Sequence, residues 1–147
     1  MSALRRVRDD ERGSTLLLTI FYAALSLVLI LIVTAATSLF LERKQLLSLA
    51  DGAALAGAEA YELTDVTVTT GAPKVTLSNA DVAATVESYL GAVPHDFEAL
   101  AIDRASAVDG QGALVGLSAY WRPPIVTLFV PGGLRIDVEA SARSVFF

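Results

Sequence analysis

The hydrophobic pattern changes character along this chain, and each change marks an element. From Ser14 to Leu41 there is no charged residue, a run of 28 positions that also lacks Gly and Pro. At about 1.5 Å per residue such a run predicts an unbroken helix roughly 42 Å long, against about 30 Å of bilayer hydrocarbon. The centre, Leu25 to Val33, is nearly all Leu, Ile and Val, while Thr15, Thr19, Thr34, Thr37 and Ser38 lie toward the ends. Their hydroxyls can bond back to the helix or reach headgroups. A cleavable signal has an apolar core of about 7–15 residues and a small-residue cut site. This run is about twice as long and stops at Glu42-Arg43-Lys44, so a retained membrane anchor is expected.

Past Lys44 the pattern becomes an amphipathic helix. Leu46, Ala50, Ala53, Ala54, Gly57 and Tyr61 share one face, with Lys44, Ser48, Asp51 and Glu59 on the other. Gly52 and Gly57 each weaken a helix by about 1 kcal/mol relative to Ala, so packing must hold this one. A stripe of small residues admits another backbone at close range. Leu46, Ala50, Ala53, Ala54 and Gly57 therefore form the expected helix-packing stripe, facing either the chain's own domain or a neighbouring subunit.

From Thr64 the period shortens to two. Val66 to Thr69 predicts a strand, Gly71-Ala72-Pro73 a turn, and Val75 to Leu77 the return strand. Ser78 or Asn79 can cap a helix with Asp81 in its first turn. Val82, Val86 and Leu90 then recur every four residues until Gly91 and Pro94 end it. Leu100 to Val108 and Leu114 to Trp121, joined at Asp109-Gly110-Gln111-Gly112, predict a hairpin. Ile125 to Val130 predicts a short edge strand. Leu134 to Ala142 alternates most cleanly and implies one buried and one wet face. The expected fold class is α+β: a long N-terminal transmembrane helix continuing into a small antiparallel sheet domain with one extra helix. The segments are a cytoplasmic leader over residues 1–13, the transmembrane helix over 14–41, its extracytoplasmic continuation over 42–62, and the α+β domain over 63–147.

Composition agrees with an anchored chain. Of 147 residues, 54% are hydrophobic and 18% charged, whereas soluble domains carry about 45–50% apolar and about 25% charged residues. The net charge of −5 argues against nucleic acid, for which a basic surface supplies most of the affinity. It is unevenly spread: residues 1–44 carry a net +2 and residues 45–147 a net −7. Arg5, Arg6, Arg8 and Arg12 precede the apolar run and only Arg43 and Lys44 closely follow it. That bias favours a single-pass cell-membrane protein with a cytoplasmic N-terminus and the C-terminal domain outside.

Catalytic chemistry finds little to work with. There is no cysteine, so thiolate metal sites, disulfides and cysteine nucleophiles are excluded. His95 is the one histidine, and no Gly-x-Ser-x-Gly elbow supplies a nucleophile for it. Asp103 and Asp109-Gly110 lack the ligand ladder of a calcium loop, and Gly71-Ala72-Pro73-Lys74 lacks the spacing of a phosphate loop. Tyr120-Trp121-Arg122-Pro123-Pro124 reads as strand-end packing or as a partner surface. No enzyme activity, catalytic residue, metal, cofactor or small-molecule substrate is expected.

The N-terminal third carries a resemblance. A charged leader ending Asp9-Asp10-Glu11-Arg12-Gly13 precedes the apolar helix, followed by Glu42-Arg43-Lys44-Gln45 and Leu49-Ala50-Asp51-Gly52-Ala53-Ala54-Leu55-Ala56-Gly57-Ala58. Over roughly residues 9 to 60 this resembles the TadE/TadG-like proteins of Tad (Flp) pilus assembly, especially the TadG-related forms of high-GC Gram-positive bacteria. The strand ending Val138-Glu139-Ala140-Ser141-Ala142-Arg143 is similar to the family's C-terminus. The resemblance implies a pilin-like fold and a non-enzymatic minor pilin or pseudopilin of a Tad/Flp pilus or secretion apparatus. Its partners would be the lipid bilayer and other pilin-like or pilus-assembly proteins. Pseudopilins of this kind are cut after a glycine, which makes Gly13 and Ser14 the candidate processing site. They also carry Glu at the fifth mature position, where this chain has Leu18. That departure favours an uncut, TadG-like anchor. The alternative function is a membrane-tethered extracytoplasmic binding or sensor module.

Overall fold

The computed structural model describes residues 3–60, 67–69, 72–74, 76–123, 126–128 and 130–143, with side chains described from Thr15 onward except in 67–69 and 72–74. Its elements run α1 (Ala3–Ala58), β1 (Thr67–Thr69), β2 (Ala72–Lys74), α2 (Asn79–Ala92), β3 (Glu98–Val108), β4 (Gly112–Trp121), a 3-10 turn (Val126–Leu128) and β5 (Leu134–Arg143). The fold is α+β. Contacts divide the chain into two compact units, Met1–Ser38 and Leu39–Phe147, and α1 supplies residues to both.

The first unit is helix. Its large apolar side chains from Leu16 to Val33, Leu31 excepted, lie exposed along the helix. Thr19, Thr34 and Thr37 donate their hydroxyls to the carbonyls of Thr15, Ile30 and Val33 at 2.8, 2.8 and 2.9 Å. Bonding to the carbonyl four residues back leaves those hydroxyl protons satisfied without water. The helix is long and apolar enough to cross a membrane.

The second unit packs helices against one face of a sheet. β3, β4 and β5 form an antiparallel meander with β4 central, and β1 pairs with β2 in a separate two-stranded ribbon. β4 is buried along nearly all its length, with only Leu114 half-buried and Tyr120 exposed. Ala113, Val115, Leu117 and Ala119 join the core with Ile136, Val138 and Ala140 of β5. Leu46, Leu49, Ala50, Ala53, Ala54 and Ala58 of α1 and Val82, Val86 and Leu90 of α2 complete it. Ser78 caps α2 as expected, its Oγ accepting from the Asp81 N–H at 3.2 Å.

Three expectations are corrected. The return strand of the first hairpin is Ala72–Lys74, not Val75 to Leu77: Thr69 pairs with Ala72, so the chain reverses early. Pro73 is tolerated because each strand of a two-stranded ribbon has an outer edge needing no N–H. Leu77 instead donates its N–H to the Gly110 carbonyl at 2.9 Å and is buried in the core; Val66, Gly71 and Val75 lie outside the described residues. The stretch Ile125 to Val130 is not an edge strand. The Pro123 carbonyl accepts from both Val126 and Thr127 at 3.1 Å, closing a 3-10 turn that leaves Leu128 79% exposed; Ile125 lies outside the described residues. Finally, α2 runs through Gly91 to Ala92 and is capped at Val93, one residue before Pro94.

Candidate functional site

The stripe on α1 has a clear location. Leu46, Ala50, Ala53 and Ala54 are fully buried in the core of their own unit. Gly57 stands where α1, α2 and β4 meet: a Cβ there would lie 3.2 Å from both Ala113 Cβ and Val82 Cγ1, and 3.4 Å from Val86 Cγ2. The small side chains thus bring the helix backbone down onto the chain's own sheet and second helix. Tyr61, assigned to the same face, lies outside the described residues. On the opposite face Lys44, Ser48, Asp51 and Glu59 are exposed.

Gly13 and Ser14 lie within α1, Gly13 ten residues past its start at Ala3. A glycine inside a helix lowers its local stability by about 1 kcal/mol relative to Ala. Gly13 and Ser14 belong to the first unit and the stripe to the second.

One concavity opens where the first turns of α1 in the second unit face the end of α2 and the loop into β3. It encloses about 420 Å3 and is lined by Glu42, Gln45, Ser48, Tyr89, His95 and Asp96 over a floor of Leu49, Val93, Pro94 and Phe97. The His95 and Phe97 rings lie 6.0 Å apart. Gly52 makes room beside it, since a Cβ there would meet the Tyr89 hydroxyl and ring. The groove offers polar groups but no nucleophile and base held together by a hydrogen bond. Among the described residues no three His, Cys, Asp or Glu side chains gather as metal ligands.

The solvent face of the sheet carries the feature least visible in the sequence. Between Ile102 and Arg104 the ladder shifts by one residue, so Asp103 is an extra residue of β3. A bulge of this kind turns two successive side chains to one side. A Cβ on Gly116 would find the Cβ of Arg104 at 3.4 Å and that of Asp103 at 3.9 Å. Asp103 thereby receives Arg135 of β5, whose Nη2 donates to both carboxylate oxygens at 2.8 Å and to Ser118 Oγ at 3.1 Å. Arg104–Glu139, Arg143–Asp109 and Arg122–Glu98 add ion pairs at 3.9, 3.2 and 3.2 Å. Arg122 also lies 5.7 Å over the Tyr120 ring, while Trp121 is buried; Pro124 lies outside the described residues. The alternation of β5 announced the charged face, but nothing in the sequence marks the bulge.

Residues 13–60 match the family model of TadE/G-like proteins of Flp pilus assembly, named Tad. The matched region begins at Gly13, covers the apolar run and ends just past the core-facing stripe of α1. That likeness points to a component of a Tad pilus system. No curated protein and no solved structure matches the chain.

Proposed function

We propose that this chain is a non-enzymatic, membrane-anchored, pilin-like component of a Tad/Flp pilus assembly or secretion apparatus, of the TadG-related kind. The observation that carries the reading is the match over residues 13–60 to a pilus-assembly family. That region holds both an exposed apolar helix and the stripe that docks the small domain. In this reading residues 14–41 span the membrane once, residues 1–13 stay cytoplasmic, and residues 42–62 lead into the outer domain of 63–147. The helix tethers and the domain presents its charged sheet face to other pilus-assembly proteins. Because Leu18 stands where a pseudopilin has Glu, the chain remains uncut and serves as an anchored accessory or minor pilin.

The test is a deletion strain complemented with tagged full-length protein. Loss of pili or of apparatus-dependent secretion, restored by the tagged chain, supports the role. Normal assembly without the chain overturns it. Mass spectrometry of the membrane-extracted protein addresses processing: an intact Met1 or Ser2 start supports an uncut anchor, and a Ser14 start means prepilin-type cleavage after Gly13. A single cysteine placed at Ser2 or at Ser141, labelled from outside intact cells, reads orientation, with Ser141→Cys alone expected to react.

A second reading is a membrane-tethered binding or sensor module, favoured by the 420 Å3 groove at Glu42, Tyr89 and His95, a volume within the range of small-molecule sites. Its mark would be a ligand that raises the melting temperature of the intact chain and fails to do so in Tyr89→Ala.

A further inference from the structure

The two edges of the three-stranded sheet are built differently. The outer edge of β3 is interrupted by two register shifts, by Ala99 in the left-handed region at φ 50°, and by Asn79, whose Oδ1 accepts the Ala107 N–H at 2.8 Å. Bulges, left-handed residues and side-chain caps are the devices by which proteins close an edge. β5 has none of them. It pairs with β4 one-for-one from Leu134 to Arg143 without a shift, and among the described residues no backbone hydrogen bond reaches its other side. A regular ten-residue edge is a template for strand addition.

We propose that β5 pairs with β5 of a second copy of this chain, antiparallel, about a two-fold axis at Ala140. The charges select the occupant and the register. On the solvent face β5 reads Arg135, Asp137, Glu139, Ser141, Arg143. With the axis at Ala140, Asp137 falls opposite Arg143 of the second copy, and Glu139 opposite Ser141. On the helix-facing side Val138 meets Ala142 and Ala140 meets itself. Directly opposed residues on one face interact, and like charges there are destabilising. Moving the axis to Glu139 sets two glutamates against each other, and moving it to Val138 sets Asp137 against Glu139. An axis at Ile136 pairs Arg135 with Asp137 but overlaps over only five residues of β5, Leu134 to Val138, against seven, Asp137 to Arg143, for the axis at Ala140. Asp137 has no ion-pair partner among the described residues, and Arg143, which lies 3.2 Å from Asp109, would share its guanidinium between the two carboxylates. Because the β3 edge is closed, pairing stops at two copies instead of continuing into a fibre. The inference rests on the sheet alone and is independent of the pilus reading.

The chain contains no cysteine, so introduced thiols report the register without background. Full-length chains in detergent micelles, one carrying Glu139→Cys and the other Ser141→Cys, should form a mixed disulfide. Arg135→Cys with Ser141→Cys, opposed only in the Val138 register, should not. By light scattering the wild type should dimerise with increasing concentration. Asp137→Arg should weaken the dimer at least about tenfold, equivalent to about 1.4 kcal/mol, and Asp137→Arg with Arg143→Asp should restore it. A monomer at all concentrations, an Asp137→Arg protein that dimerises like wild type, a double variant that stays weak, or cross-linking only in the off-register pair would each overturn the proposal.

Discussion

Gly57 of α1 faces Ala113 of β4 across a gap that a single added carbon would close to 3.2 Å. That approach fixes how near the helix lies to the sheet, and the neighbours on its other sides, Val82 and Val86, are themselves fully buried. Over-filling a packed core costs about 1–3 kcal/mol. Gly57→Leu, and equally Ala53→Leu, should destabilise the folded unit by at least that amount while leaving membrane insertion intact. Trp121 is the one tryptophan and is only 5% exposed, so its fluorescence during denaturation of the full chain in micelles reads the change. Unchanged midpoints for both variants would mean that the stripe is not packed as described.

Gly52 and Tyr89 should be coupled. A Cβ at Gly52 would run into the Tyr89 hydroxyl, yet alanine favours a helix over glycine by about 1 kcal/mol. In a Tyr89→Ala background, where the collision is gone, Gly52→Ala should stabilise by up to that amount. With Tyr89 present the gain should shrink or reverse. Equal effects in both backgrounds would rule out the contact.

The Asp103–Arg135 pair should be worth little despite its short distances. Both side chains are more than a third exposed, and one nitrogen serves both carboxylate oxygens, so the two-nitrogen fork of a true bidentate pair is absent. A double-mutant cycle on the thermal unfolding of the intact chain should give about 0.2–1 kcal/mol of coupling, falling as salt rises. A salt-independent coupling of several kcal/mol would contradict this.

Anchoring should fail when the apolar run is broken by charge. Leu29→Arg places a guanidinium near the middle of Ser14 to Leu41, at a cost of about 2.5–3.5 kcal/mol in helix insertion. Alkaline extraction of cell membranes should release much more of this variant than of wild type. Leu29→Phe should stay in the membrane pellet.

Local pattern was enough wherever one residue's neighbours in sequence decide its state. The charge-free run, the Ser78 cap, the Val82, Val86 and Leu90 face and the alternation of β5 are all of this kind. Leu128 shows where pattern misleads: its apolar neighbours suggested a strand, but the Pro123 carbonyl closes a 3-10 turn that leaves it in solvent. The stripe at Ala50, Ala53 and Gly57 was legible as a packing face, while its partner was not, because small residues suit a sheet, a second helix or another subunit equally. The Arg135 bridge to Asp103 spans 32 positions and depends on a one-residue irregularity of pairing, which composition and periodicity do not encode.

That irregularity gives β3 a residue that the ladder does not need. Ile102 pairs with Leu117 and Arg104 with Gly116, two adjacent positions of β4, so the pairing would close up without Asp103. Removing Asp103 alone would shorten the strand by one residue, keep every other side chain on its present face and delete only the carboxylate that Arg135 grips. Removing any regularly paired neighbour would send the rest of the strand to the wrong side. With the stretch between Glu98 and Ala101, Asp103 is one of two places where β3 could lose a residue without sending its neighbours to the wrong face.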